Sequence, residues 1–187
     1  MKGLYFFISG WLLLLASCQS VHSDNEVELP GAIFVLGNSW SLDPELSSGD
    51  LFSSLMNQRL KSDPVDSTSV THLGIFGEPP ARVLERLAEL RPYKPSLLIV
   101  EADGYLSRDD ATLLPGLKQL FPDVPFWVLY LDEIPDQQKQ AGAQLKKIRW
   151  INLQQVREQW SKQQALQGNA SLHENLAAFL LEKLSAD

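Results

Sequence analysis

Residue types that can support acyl-transfer chemistry follow the apolar runs of this 187-residue chain. Ser39 comes shortly after the apolar run 32–36, and His173 opens the apolar stripe of the last helical pattern. A serine hydroxyl attacks an acyl carbon only when a base takes its proton, and an imidazole is the commonest such base. Each residue also has an ordinary structural interpretation, as a turn serine and as a packed histidine.

Five strand-like runs alternate with helical patterns. Strands are predicted at 32–36, 69–75, 96–100, 125–131 and 148–153. Helices are predicted at 49–61, from Pro79-Pro80 onward, at 111–121 with an interruption at Pro115-Gly116, at 134–147 and at 171–184. This alternation predicts an α/β fold, with three α/β/α layers around a five-stranded, mainly parallel sheet of flavodoxin-like topology. Ligands of such sheets bind beyond the carboxyl ends of the strands.

The residues at those strand ends form four blocks that resemble the SGNH (GDSL-like) hydrolase family, in particular its small thioesterase/lysophospholipase members. The blocks are IFVLGNSWS (33–41), THLGIFGEPPARVLERL (71–87), SLLIVEADGYL (96–106) and SLHENLAAFLLEKL (171–184). Their order matches the family, and the resemblance extends from about Ala32 to Leu184. It implies the SGNH hydrolase fold and the hydrolysis of esters by a serine nucleophile.

The resemblance implies a role for each matching residue. Ser39 takes the position of the nucleophile and His173 that of its base. The backbone N–H groups of Ser39 and Gly77 take the positions of two oxyanion-hole donors, which bind the charge that develops on the tetrahedral intermediate. Tyr105 takes the position of the third donor.

Three positions depart from the family pattern. Tyr105 replaces an asparagine, and losing one such donor costs about a hundred- to a thousandfold in turnover. Ala170 replaces the acid that orients the histidine, a role for which Asn169 and Glu174 are the nearby substitutes. Asn38 replaces an aspartate that supports the turn.

Three functions stay open on these grounds. The first is a serine esterase acting on acyl or acetyl esters of the cell envelope. The second is a catalytically impaired descendant that binds a ligand or docks an envelope partner. The third is an unrelated flavodoxin-like domain, because one topology serves many functions.

The first 17 residues predict an export signal. The apolar run 4–15 follows Lys2 and is too short to span a bilayer. The sequence Leu15-Ala16-Ser17-Cys18 resembles the lipobox of bacterial lipoproteins, and Cys18 is the single cysteine of the chain. We expect a lipid such as palmitate on Cys18, a flexible tether over 18–30 and the hydrolase-like domain over 31–187. An ordinary secretory signal is the alternative.

The expected location and partners follow from the same residues and from the charge. Gln19 after the cysteine favours the periplasmic side of an outer membrane, to which the lipid would anchor the chain. A net charge of -7 argues against nucleic-acid binding. We expect a monomer acting on a small ester, lipid or glycan. Aromatic residues near the strand ends favour an apolar or sugar ligand: Trp40, Phe76 and Tyr105.

No cofactor and no metal are expected. The first predicted strand is not followed by the G-x-G-x-x-G pattern that cradles a dinucleotide. The histidines are His22, His72 and His173, which are too scattered for a histidine-built metal site. His72 is expected to pack at the end of its strand.

Overall fold

The fold was analysed on a computed structural model that describes residues 27–62, 67–102, 112–131, 140, 142–143, 145–154, 156, 158 and 170–186. The strands are β1 (Val27–Leu36), β2 (Ser69–His72), β3 (Tyr93–Glu101), β4 (Phe126–Tyr130) and β5 (Ile148–Asn152). The helices are α1 (Phe52–Lys61), α2 (Pro80–Ala88), α3 (Leu113–Leu120) and α4 (Ala170–Ala186), with a short 3-10 turn at Trp40–Leu42.

The five strands form one parallel sheet in the order β2-β1-β3-β4-β5. In the register, Val35 lies opposite His72 and Leu36 lies opposite Val100. The carboxyl ends of β1, β2 and β3 therefore meet at one edge of the sheet. The predicted α/β class with a five-stranded parallel sheet is confirmed.

Each strand sends alternate side chains to opposite faces of the sheet, as the pleat requires. On one face, Phe34 and Val100 pack with buried residues of α2 and α3. On the other, Val35 and Ile99 pack with buried residues of α1 and α4. Both faces of the central strands are buried, which explains why their sequences are continuous apolar runs.

Several element boundaries differ from the prediction: β2 ends at His72 instead of Ile75, β3 begins at Tyr93 instead of Ser96, and α1 begins at Phe52 instead of Gly49. Two further differences have a clear physical reason. β1 begins at Val27, inside the predicted tether, because residues 27–29 pair with the start of β3. A register shift follows at Gly31, whose φ of +80° suits glycine. Helix α3 runs through Pro115 without interruption, since a proline in the first turn lacks only an N–H that has no helical partner there.

In the part of the chain described above, no helix combines the length and the apolar character needed to cross a membrane. The predicted helix at 134–147 falls mostly outside the described residues, as do the signal segment and Cys18.

Candidate functional site

Two glycines allow the ends of β1 and β2 to come close together. A Cβ atom on Gly74 would lie 1.7 Å from the carbonyl oxygen of Gly37. A Cβ atom on Gly37 would lie 1.6 Å from the Oγ of Ser41, which folds back in the 3-10 turn. Real side chains do not tolerate such distances, so glycine at both positions is required for this tight edge.

The carboxylate of Glu101, the last residue of β3, is the centre of this edge. Glu101 is 2% exposed. Its Oε2 accepts the hydroxyl of Ser41 and the backbone N–H groups of Asn38 at 3.1 Å and Ser39 at 3.3 Å. Its Oε1 accepts the hydroxyl of Ser39. A buried carboxylate needs such donors to offset the loss of water, and here they come from the turn that carries the candidate nucleophile.

Asn38 fastens that turn to the loop after β2. Its side-chain Nδ2 donates to the backbone carbonyl of Glu78 at 3.1 Å, and its backbone carbonyl accepts the N–H of Gly77 at 3.0 Å. The first bond needs an amide N–H, which an ionised aspartate lacks. Glu78 is held in turn by an ion pair with Arg86 of α2, at 2.6 Å. The asparagine therefore supports the turn, the role that the sequence predicted for this position.

His173, in the first turns of α4, is 1% exposed and has protein partners for its ring. The backbone N–H of Phe52, the first residue of α1, donates to its Nδ1 at 3.0 Å. That N–H has no acceptor within its own helix, so the ring satisfies it. Since Nδ1 accepts, the ring proton is on Nε2, and the ring lies close enough to the backbone of Trp40 for that backbone to raise its pKa.

The predicted hydrogen bond between Ser39 and His173 is not formed. The hydroxyl of Ser39 donates to Glu101 instead, and the ring of His173 is occupied by Phe52 and Trp40. The two residues do lie at the same edge of the sheet, because the ring of His173 lies near the backbone of Trp40, which follows Ser39 in the chain. With this set of hydrogen bonds, however, Nε2 of the imidazole carries a proton, whereas a base needs a free lone pair to accept the proton of the serine.

The two predicted backbone oxyanion donors also have protein acceptors. The N–H of Gly77 donates to Asn38, and that of Ser39 donates to Glu101. Gly77 has a φ of +71°, a conformation that suits glycine. Tyr105 lies outside the described residues. Ala170 is the first residue of α4, and Asn169, its nearby substitute for the orienting acid, is not described.

Burial keeps both histidines at this edge neutral. Burial lowers the pKa of His72 to about 4, with a smaller lowering from His173 and a partial offset from the backbone of Gly37. Burial also lowers the pKa of His173, while Asp43, Asp50 and the backbone of Trp40 oppose the effect. His72 ends β2, as predicted, and its Nδ1 lies 3.1 Å from the Oγ of Ser53.

Large apolar side chains stand in solvent beside this polar edge. Ile75 is 52% exposed and Phe76 is 61% exposed, in the loop between β2 and α2. Trp40, also predicted near the ligand, packs against the ring of Phe52 with centroids 6.2 Å apart. Exposed apolar residues next to a polar centre are typical of a ligand-contacting rim.

A cavity lies at the opposite edge of the sheet and is a poor candidate for catalysis. Its volume is about 710 Å³, and it is bordered by the starts of the strands and the end of α4, including Ile33, Leu97, Trp127 and Leu184. Its polar side chains offer hydroxyls and Arg59 but no base. Among the described residues, no group of three or more His, Cys, Asp or Glu side chains is placed to hold a metal ion.

Glu101 is the residue that sequence reasoning missed. The signal was present, since a single acid ends the apolar run Leu97-Leu98-Ile99-Val100. A charge that continues a buried strand must find donors, and the strand ends are where a ligand or turn can supply them. Its partners could not be named before the register of β1 against β3 was known.

Comparisons with known proteins bear on the fold. No protein-family profile matches the sequence, and no curated protein matches it. Among solved structures, the chain is similar to the psychrotrophic esterase EstA from Pseudoalteromonas sp., in a crystal structure inhibited by monoethylphosphonate. The TM-score is 0.59 at 15% sequence identity, and the match covers 83% of this chain and 99% of the esterase. The chain therefore has the same α/β fold as that esterase, in agreement with the predicted fold.

Proposed function

We propose that this protein is a serine ester hydrolase in which Ser39 is the nucleophile. The observation that carries the proposal is the hydrogen bond from the Ser39 hydroxyl to the buried carboxylate of Glu101, at the carboxyl end of β3. A nucleophile and a proton acceptor within hydrogen-bond reach are the minimum apparatus for acyl transfer. Ser39 is half-buried, so the residue is not sealed from solvent.

The substrate class is an ester with an apolar acyl group. Ile75 and Phe76 expose apolar surface beside Ser39, and the net charge of -7 disfavours polyanionic substrates. Acyl or acetyl esters of envelope lipids or glycans fit these properties.

Replacing Phe76 by alanine should weaken the preference for longer acyl chains. Tyr93→Ala is the matched control, since that ring is 42% exposed at the opposite edge of the sheet.

A fluorophosphonate probe tests the nucleophile, because it reacts covalently with activated serines. We expect slow labelling of the purified chain, no labelling of Ser39→Ala and normal labelling of Ser48→Ala, which removes an exposed serine nine residues away. Hydrolysis of p-nitrophenyl esters should follow the same pattern. Equal labelling of the wild type and Ser39→Ala would contradict the assignment of the nucleophile.

A second candidate function is supported by the hydrogen-bond donors of the site, which already donate to protein acceptors. The N–H groups of Ser39 and Gly77 already have acceptors, and the tautomer of His173 is wrong for a base. These features fit a catalytically impaired descendant that binds an apolar ligand. In that case the wild type would show no Ser39-dependent labelling or hydrolysis, yet Phe76→Ala would still weaken binding of a fluorescent fatty acyl probe.

We propose further that the chain is a lipoprotein anchored through Cys18 and works in the cell envelope, at the periplasmic face of an outer membrane. The support is the sequence Leu15-Ala16-Ser17-Cys18 with Gln19 after it. Growth of an expressing bacterium with an alkyne analogue of palmitate should label the wild type and not Cys18→Ser. Fractionation should recover the labelled chain with outer membranes. Recovery of unlabelled wild type in the soluble periplasm would contradict the anchor.

A further inference from the structure

We infer that Glu101 is the group that takes the proton from Ser39 during acyl transfer. This inference rests on the proposed ester hydrolysis and names its base. The two oxygens of the carboxylate have different partners in the described residues. Oε2 is held by Ser41 and by the N–H groups of Asn38 and Ser39, whereas Oε1 accepts the hydroxyl of Ser39 alone. Oε2 is thus held in place by three donors, while Oε1 contacts the nucleophile.

Ser39, Glu101 and Ser41 can take the three roles of a catalytic triad. A triad needs a nucleophile, a base in contact with it, and a third group that orients the base. Ser39 is the nucleophile, Oε1 of Glu101 is the contact atom, and the Ser41 hydroxyl orients the carboxylate from its far oxygen. His173 does not meet the second requirement, because the Ser39 hydroxyl donates to Glu101 and because acceptance at Nδ1 places the ring proton on Nε2, the nitrogen that would have to accept.

Charge favours the same assignment. If an imidazole took the proton, the substrate oxyanion would form while Glu101 was still an anion, and the N–H of Ser39 lies only 3.3 Å from its Oε2. Two unit charges about 4 Å apart, at an effective dielectric constant near 20, lower a rate by about three orders of magnitude. If Glu101 takes the proton, it becomes neutral as the oxyanion forms, so two negative charges do not lie side by side.

The proton can be followed through both halves of the reaction. As Ser39 Oγ bonds to the carbonyl carbon, its proton moves to Glu101 Oε1 and the carbonyl π electrons move to the oxygen. The neutral acid then releases the N–H of Ser39 to that oxyanion. Collapse of the intermediate breaks the bond to the alcohol, which leaves with the proton from Glu101. Water repeats the sequence on the acyl-serine, giving the acid and free Ser39.

Two variants, each of which keeps a polar side chain, separate the candidate bases. Glu101→Gln keeps the size of the side chain but cannot accept a proton, and we expect kcat/KM for a p-nitrophenyl ester to fall by about a hundred- to ten-thousandfold. His173→Asn keeps an acceptor for the N–H of Phe52, and we expect a fall of less than tenfold. A fall of a hundredfold or more in His173→Asn with less than tenfold in Glu101→Gln would overturn the inference.

The pH profile provides a second test that does not require the Glu101 variant to fold. If the carboxylate is the base, the acid limb of log kcat/KM is the same in His173→Asn as in the wild type, because the group that takes the proton from Ser39 has not been changed. Loss of that limb in His173→Asn would assign the base to the histidine while leaving Ser39 as nucleophile. Hydrolysis that does not depend on Ser39 would instead refute the proposed function itself, and the two failures are therefore distinct.

Discussion

The burial of His72 predicts a measurable loss of stability in mild acid. The pKa of this imidazole falls from 6.5 to about 4 in the folded chain, chiefly because burial disfavours its charged form. Each pKa unit corresponds to about 1.4 kcal/mol, so the full effect is about 3 kcal/mol. Between pH 6.5 and pH 4 the unfolded chain binds a proton at His72 and the folded chain does not.

The sign of the effect follows from that difference in bound protons. Where the unfolded state binds more protons, the free energy of unfolding decreases as the pH falls. The contribution of His72 is therefore fully present above pH 6.5 and is lost as the pH drops toward 4. Between pH 7.5 and pH 4.5 the expected loss is about 2.5 kcal/mol.

Urea unfolding followed by tryptophan fluorescence measures this contribution when the wild type is compared with His72→Gln. Other titrating groups, including His173, are common to both proteins, so their effects largely cancel in the difference. We expect the wild type to lose about 2.5 kcal/mol more than the variant between pH 7.5 and pH 4.5. A difference that stays constant over this range would show that His72 is not buried as described.

Two further substitutions test the construction of the site. Ser41→Ala removes one hydroxyl donor from the buried carboxylate of Glu101 and should lower the free energy of unfolding by about 2 kcal/mol, with little change in the exposed control Ser47→Ala. Gly74→Ala places a Cβ 1.7 Å from a carbonyl oxygen and should cost about 3 kcal/mol, whereas Gly49→Ala meets only a hydroxyl at 3.7 Å. Urea unfolding at neutral pH measures both, and equal effects of a substitution and its control would refute the corresponding contact.

The fold could be predicted because its signals are local and repeated. The continuous apolar run at 96–100 predicts a strand buried on both faces, and Pro80 does begin α2. The start of β1 was missed because the short segment 27–29 is separated from the apolar run 32–36 by Pro30-Gly31, and it becomes a strand by pairing with β3. Pro115 was given too much weight as a helix breaker, since its effect depends on its distance from the helix start.

The site could be predicted only in part, because its contacts join distant residues. The positions of Ser39 and His173 at one edge follow from the order of elements. The orientation of the imidazole depends on the N–H of Phe52, 121 residues away in the chain, and the orientation of the hydroxyl depends on Glu101, 62 residues away. Neither contact can be recognised from the distance between its residues in the sequence. The family pattern therefore paired Ser39 with His173, which are not hydrogen-bonded to each other in the structure.

Trapping of the acyl intermediate tests the central claim most directly. The chain would be mixed with a p-nitrophenyl ester, quenched with acid within the first turnover, and digested for peptide mass mapping. The account predicts an acyl group on the peptide that contains Ser39, and none in Ser39→Ala. Ester hydrolysis that proceeds with the acyl group on another residue, or that persists in Ser39→Ala, would contradict it.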